Sequence, residues 1–106
     1  MLNQIVMVGR LVDEPKFIIK EGKEVCYITL AVPRIYKNEN GEYDIDYIDC
    51  TIWQGLLEKI KEYCHKGDMI GLRGRIRTTQ EKGKSKITEI VAEKVTYLSN
   101  KDKKEE

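Results

Sequence analysis

The chain has 106 residues, 41% of them hydrophobic and 35% charged, with a formal net charge of +1. That length suits one domain with a buried core, and the near-neutral balance excludes any argument from bulk electrostatics, so only local clusters can point to a partner. Cys26, Cys50 and Cys64 are far apart with no CxxC pair, which supports neither a zinc ribbon nor a disulfide framework. They read as buried thiols in a reducing cytosol. No apolar run approaches the roughly 20 residues of a membrane span, and "MLNQIVMVGRL" lacks the features of a signal peptide.

In chain order, Gln4–Leu11 is rich in Val and Ile and predicts a strand; "VDEP" at 12–15 turns it. "KFIIK" at 16–20 predicts a short strand, "EGKE" at 21–24 a hairpin turn, and Val25–Val32 a long strand. "NENGEYDID" at 38–46 predicts a polar loop, and Tyr47–Trp53 the next strand. In "GLLEKIKEYCHKG" the apolar residues Leu56, Leu57, Ile60, Tyr63 and Cys64 have helical spacing, with Gly67 suited to end the helix. Met69–Thr79 predicts a strand, "QEKGKS" at 80–85 a loop, and Lys86–Leu98 a last strand. The tail from 99 to 106 has no apolar content and predicts disorder. A single helix among curled strands suggests a small barrel, and glycines at 9, 71 and 74 inside strands mark bends or close backbone approaches.

Alternation assigns the faces. Ile70, Leu72 and Ile76 share the core face with Gly74, which leaves Arg73, Arg75 and Arg77 outward. Alternate residues lie about 6.6 Å apart, comparable to phosphates along an extended nucleic-acid strand; the plainer account is a solvated strand face. In "YIDCTIW" the aliphatic Ile48, Cys50 and Ile52 point inward, so Tyr47, Asp49, Thr51 and the only tryptophan, Trp53, point outward. An outward Trp needs a reason: a ligand, a covering loop or a subunit contact. Ile28, Leu30 and Val32 likewise oppose Tyr27, Thr29 and Ala31, and "PRIYK" adds Arg34, Tyr36 and Lys37. Residues 69–86, which include Lys82, Lys84 and Lys86, carry a local charge of +5. Rings that stack on unpaired bases, interleaved with cations that follow phosphates, make the pattern for single-strand binding with little sequence preference. Arg10, in the first strand, joins the candidates. Residues 38–50 carry a local charge of −5; that stretch could point away from the groove, meet another subunit, or compete for the basic surface.

These residues together resemble the bacterial single-stranded DNA-binding protein family. The pieces are "MLNQIVMVGRLVDEP", "YITLAV", "DYIDCTIWQGLLEKIKEYCHKGDMIGLRGRIRT" and "TEIVAEKV", in order over nearly the whole chain. The resemblance implies an all-β OB-fold over residues 1–98: a five-stranded Greek-key barrel with one helix between strands 3 and 4. It implies a homotetramer that wraps single-stranded DNA in replication, recombination and repair, in the bacterial cytoplasm at the nucleoid, with no cofactor. Tyr36, Tyr47 and Trp53 match its stacking positions. The aromatic that the family often has near the end of the fourth strand is missing from "RTTQEKGKSK", and "KDKKEE" is not an acidic tip, so the resemblance does not extend to tail-mediated recruitment of replication proteins. The first strand, apolar on both faces, favours subunit pairing by itself, without choosing dimer or tetramer.

Two other classes compete. An enzyme is disfavoured: His65, the only histidine, reads as a cation at the helix C-terminus, and Asp44, Asp46 and Asp49 lack a second cluster to complete a metal-dependent nuclease. An OB-fold protein-interaction module, or a replication-restart accessory protein, would use Trp53 and Tyr47 to anchor a protein instead.

Overall fold

The alternating runs become six strands and one short helix in the computed structural model, which describes residues 1–99. β1 spans Ile5–Leu11, β2 Lys16–Lys20, β3 Lys23–Lys37, β4 Tyr43–Ile52, β5 Met69–Thr79 and β6 Ile87–Tyr97, with α1 at Leu57–Tyr63 between β4 and β5. The strand order is β1-β5-β6-β4-β3-β2, and a β1–β3 pairing closes the sheet on itself. Closure uses Arg10 opposite Ala31 and Leu11 opposite Leu30. Five strands therefore form the expected barrel, and β2 lies outside the ring as a hairpin partner of β3. β4 and β6 run parallel; the other pairs are antiparallel. Closure is brief: Ile5–Gly9 of β1 pair only with β5, and Tyr43–Asp49 of β4 pair only with β3, so both keep an unpaired side.

The core gathers the inward face of each strand: Leu11, Cys26, Ile28, Leu30, Cys50, Ile52, Ile70, Leu72 and Ala92. Leu57 and Ile60 of α1 and Cys64 just beyond it join the same cluster, because positions i, i+3 and i+7 lie on one helical stripe. The helix ends at Tyr63, earlier than Gly67 suggested. Cys64 is already extended, with φ −111° and ψ 116°, although its N–H still bonds the Ile60 carbonyl at 3.0 Å. Gly67, at φ 91°, instead serves the turn into β5. Its N–H donates to the Leu11 carbonyl at 2.9 Å, and the Leu11 N–H donates to the Asp68 carbonyl at 2.9 Å, which docks that turn on the end of β1.

Two strand-interior glycines are required by close approach. A Cβ at Gly74 would lie 2.2 Å from the Val91 carbonyl oxygen, at the point where the β5–β6 register slips between Arg73 opposite Lys94 and Gly74 opposite Ala92. A Cβ at Gly9 would lie 3.0 Å from the Ala31 carbonyl oxygen, where β1 crosses to β3. Gly71 does not meet this expectation, since its nearest would-be neighbours are at 3.7 and 3.9 Å.

Ile76 is not core. It is 41% exposed, because β5 outruns β1: their pairing ends at Ile5 opposite Gly74, and beyond that β5 pairs only with β6. Asn3 brackets Ile76 there, donating to its carbonyl at 2.7 Å and accepting from its N–H at 2.9 Å. The expected loop at 38–46 is also shorter. β3 continues to Lys37 and β4 starts at Tyr43, so Asp44 and Asp46 are strand residues. Their polarity hid the pairing, which includes an irregularity between Pro33 and Lys37 where proline has no ladder N–H to give. The expected disordered tail lies outside the described residues except for Ser99, whose hydroxyl accepts from the Met69 N–H at 2.7 Å.

Candidate nucleic-acid interface

The outward face can be read as rows across neighbouring strands. Tyr27 on β3 is opposite Thr51 on β4, Thr51 is beside Val91 on β6, and Val91 is opposite Arg75 on β5. Thr51 points outward, as alternation requires, yet it is buried. β4 is paired on both sides, and the large neighbours Tyr27 and Val91 flank this small residue. Trp53 follows β4 directly and is half-buried, outside the hydrophobic core cluster. It lines a groove of about 480 Å³ together with Lys20 and Lys23 of the β2–β3 hairpin, and Arg75, Arg77 and Glu93.

Within this groove Arg77 lies over the indole, its guanidinium carbon 5.5 Å from the ring centroid, a cation–π distance. Its Nε donates to Glu89 Oε1 at 2.6 Å. Arg75 Nε is 3.6 Å from Glu93 Oε2. The three arginines therefore do not form one open track. Arg75 and Arg77 line the Trp53 groove with carboxylate partners, whereas Arg73, opposite Val6 and Lys94, borders a separate depression with Val6, Val8 and Thr96. Glu89 and Glu93 are legible in "TEIVAEKV", but only the β5–β6 register places them beside arginines.

Tyr47 is 65% exposed, since its cross-strand neighbour is the small Ala31. Six residues of near-extended chain put it about 20 Å from Trp53. Between them on the same face is Asp49, which accepts the Thr29 hydroxyl at 2.6 Å and borders a second pocket with Asp13, Glu14 and Lys16. One flank of the surface is thus acidic. On the other flank, Lys82, Lys84 and Lys86 are exposed on the β5–β6 connection, with Lys84 Nζ 3.0 Å from Glu81 Oε2.

Arg34 and Arg10 lie outside this groove. Arg34 makes a forked contact with Asp46, Nη2 to Oδ1 at 3.0 Å and Nε to Oδ2 at 3.2 Å, and its Nη1 is 4.0 Å from Asp44. The hydrogen bonds from Arg34 hold the Asp46 carboxyl below its ordinary pKa and raise that of the guanidinium. Asp44 and Asp46 alternate with Tyr43, Ile45 and Tyr47 along β4, so these two acids sit on the hairpin face opposite the rings. Arg10 Nη1 donates to the Gly67 carbonyl at 2.6 Å. It pairs with Met69, six residues and about 20 Å from Arg75 along β5. Tyr36 is exposed, and Lys37 Nζ is 5.8 Å from the Tyr43 ring centroid. Tyr43 was missed in sequence; its alternation with Tyr47 was the available signal, masked by the loop assignment.

No group of acidic, His and Cys side chains suited to a metal ion occurs among the described residues. His65 Nδ1 is 3.4 Å from Glu14 Oε1. The buried thiols are pushed up chiefly by desolvation, Cys26 to about 11 and Cys50 and Cys64 to about 12, which removes thiolate chemistry at neutral pH.

Residues 2–98 match the model of the single-strand binding protein family. The chain belongs to the single-strand binding protein family. It is similar to single-stranded DNA-binding protein B of Bacillus subtilis, 38% identical over 106 residues, covering 95% of this chain and 94% of that protein. Single-stranded DNA-binding protein 3 of Listeria innocua is also 38% identical, over 95% of this chain and 66% of the relative. The single-stranded DNA-binding protein of Lactiplantibacillus plantarum is 34% identical over 99% of this chain, which spans 55% of the relative. A solved structure of a Plasmodium falciparum SSB complex with ssDNA superposes with a TM-score of 0.76 at 24% identity, covering 92% of this chain and 96% of that one. That likeness bears on the fold: the barrel of this single-strand binding family member is an OB-fold.

Proposed function

We propose that the chain binds single-stranded DNA with little sequence preference, by stacking bases on Trp53 and Tyr47 and by contacting phosphates from the β5–β6 side. The observation that carries this reading is a pair of rings held outside the core on one outward face, one of them lining a groove in which four cations, Lys20, Lys23, Arg75 and Arg77, outnumber two carboxylates, Glu21 and Glu93. Stacking tolerates any base because every base has a π-face. The charge distribution supports an orientation as well. Asp13, Glu14 and Asp49 line the β1–β2 flank and repel phosphate, whereas Lys82, Lys84 and Lys86 lie on the β5–β6 connection. The sugar-phosphate chain then runs on the β5–β6 side with its bases turned toward β4. The protein is a binding protein, not an enzyme.

The same proposal covers its setting: a homo-oligomer, a tetramer rather than a dimer, guarding DNA in replication, recombination and repair in the bacterial cytoplasm. Val6 and Val8 support assembly, since they leave β1 exposed at 73% and 49% on its outward side. Among the described residues no helix is long and apolar enough to cross a membrane. The test is a titration of the single Trp's fluorescence with oligothymidylates of increasing length. Strong quenching that saturates is expected; emission unchanged by every oligomer overturns the reading and leaves the groove to a protein partner.

A further inference from the structure

We infer that Tyr43 and Lys37 form an additional base-stacking subsite on the β3–β4 hairpin, so that a strand passing Tyr47 continues out along this hairpin instead of stacking over the β5–β6 connection. The inference rests on the single-strand-binding reading above and extends it to residues outside the matched stacking positions.

The first observation is a ladder. Tyr43, Ile45 and Tyr47 alternate on β4 and are 53%, 46% and 65% exposed. They share one face by strand alternation, which sets the two rings about 13 Å apart, with an aliphatic rung between them. Three consecutive outward positions bearing large apolar groups are a surface that waits for a flat or apolar partner. The second is a cation in place. Lys37 is in register opposite Tyr43, and its ammonium lies 5.8 Å from the ring centroid. A cation held at an exposed ring suits a stacked base that brings its own phosphate. The third is charge sorting. Asp44 and Asp46 sit on the opposite hairpin face, engaged by Arg34, so these carboxylates do not border the ring face.

The fourth is rigidity. The Asn38 side-chain oxygen accepts the N–H groups of Asn40 and Glu42 at 2.9 and 3.0 Å, and its Nδ2 donates to Asp44 Oδ1 at 3.0 Å. The Asn38 N–H donates to the Glu42 carbonyl at 2.7 Å, and Gly41, at φ 77°, closes the turn. The backbone that carries Tyr43 is therefore ordered before any ligand arrives, which lowers the entropy lost on binding. The β5–β6 connection, by contrast, offers no ring: residues 78–86 read "TTQEKGKSK". Beyond Tyr47, the rings available to a base are on the hairpin.

The experiment compares full-length wild type, Tyr43→Ala and Tyr43→Phe with labelled oligothymidylates of increasing length, reading anisotropy for affinity and Trp53 emission for occupancy of the main groove. For Tyr43→Ala, affinity for long oligomers should fall by about 5-fold or more, the lower end of one lost stack. The deficit should vanish for oligomers too short to extend past Tyr47, and Tyr43→Phe should restore the affinity. Circular dichroism establishes that each variant is folded. Unaltered affinity of folded Tyr43→Ala for every length, with Trp53 still quenched, overturns this subsite and leaves the proposed function standing. A loss of equal size at all lengths overturns it too, since Tyr43 would then act through the whole hairpin. Wild type whose Trp53 never responds to DNA removes the parent reading along with it.

Discussion

Replacing Trp53 separates a ligand-facing ring from a core ring. The side chain is half-buried and outside the core cluster, so Trp53→Ala should cost much less than the about 3–5 kcal/mol of a core aromatic truncation. A further feature reduces the loss. The indole Nε1 is buried without a hydrogen-bond partner, a burden of about 1–3 kcal/mol that the alanine variant sheds. We expect a net stability change of about 1 kcal/mol, the centre of the range for point variants. Binding should respond far more. One lost stack is worth about 1–3 kcal/mol, a range that comes from single-strand binding proteins as a class, and it corresponds to about 5- to 140-fold in Kd. Trp53→Phe removes the unpaired N–H and keeps a ring, so it should retain stability and most of the affinity. Anisotropy with labelled oligothymidylate gives Kd, and urea denaturation followed by circular dichroism gives stability. Wild-type affinity in folded Trp53→Ala would refute the stacking argument. A stability loss of core size would show that the ring's work is packing.

Gly74→Ala drives a Cβ to 2.2 Å from the Val91 carbonyl oxygen, and backbone on both sides must yield. It should destabilise by about 1–3 kcal/mol in urea melts, whereas Gly71→Ala, with ordinary contacts, should stay within about 0.5 kcal/mol; equal midpoints for the two would contradict the close approach. Cys26, Cys50 and Cys64 hold their protons in the fold up to about pH 11–12, above the ordinary thiol value of 9.0. The unfolded chain therefore binds fewer protons above pH 9, and stability should fall as pH rises through that window. Ellman's reagent at neutral pH should label the thiols only as the protein unfolds, and fast labelling of native protein would rule out their burial. Replacing Lys82, Lys84 and Lys86 together by Ala should flatten the log–log salt dependence of binding by about 2, at roughly 0.7 per phosphate contact. Because all three are exposed, the melting curve should not move; an unchanged salt slope would leave these lysines as a solvated loop.

The sequence by itself determined the number and order of the strands, the presence of the helix and the side on which most residues lie, though not where β3, β4 and the helix end, because side-chain direction in a strand has a period of two and needs only neighbours along the chain. That is why Tyr47 and Trp53 were legible as outward rings, and why Ile28, Leu30, Cys50, Ile52, Ile70 and Leu72 were legible as core. The order of these pieces was also enough to point to the family. Only the tertiary structure decided what each outward side chain meets. That Arg77 lies beside Glu89, and Arg34 beside Asp46, depends on which residues of neighbouring strands come opposite one another. The hydrophobic pattern of a strand sets which face it buries, but not which residues of a distant strand come opposite. The same holds for Ile76, which alternation assigned to the core: it lies past the point where β1 stops pairing with β5, so no interior remains for it to enter. Thr51 is the converse, an outward residue sealed by the neighbours that the barrel's closure brings alongside it.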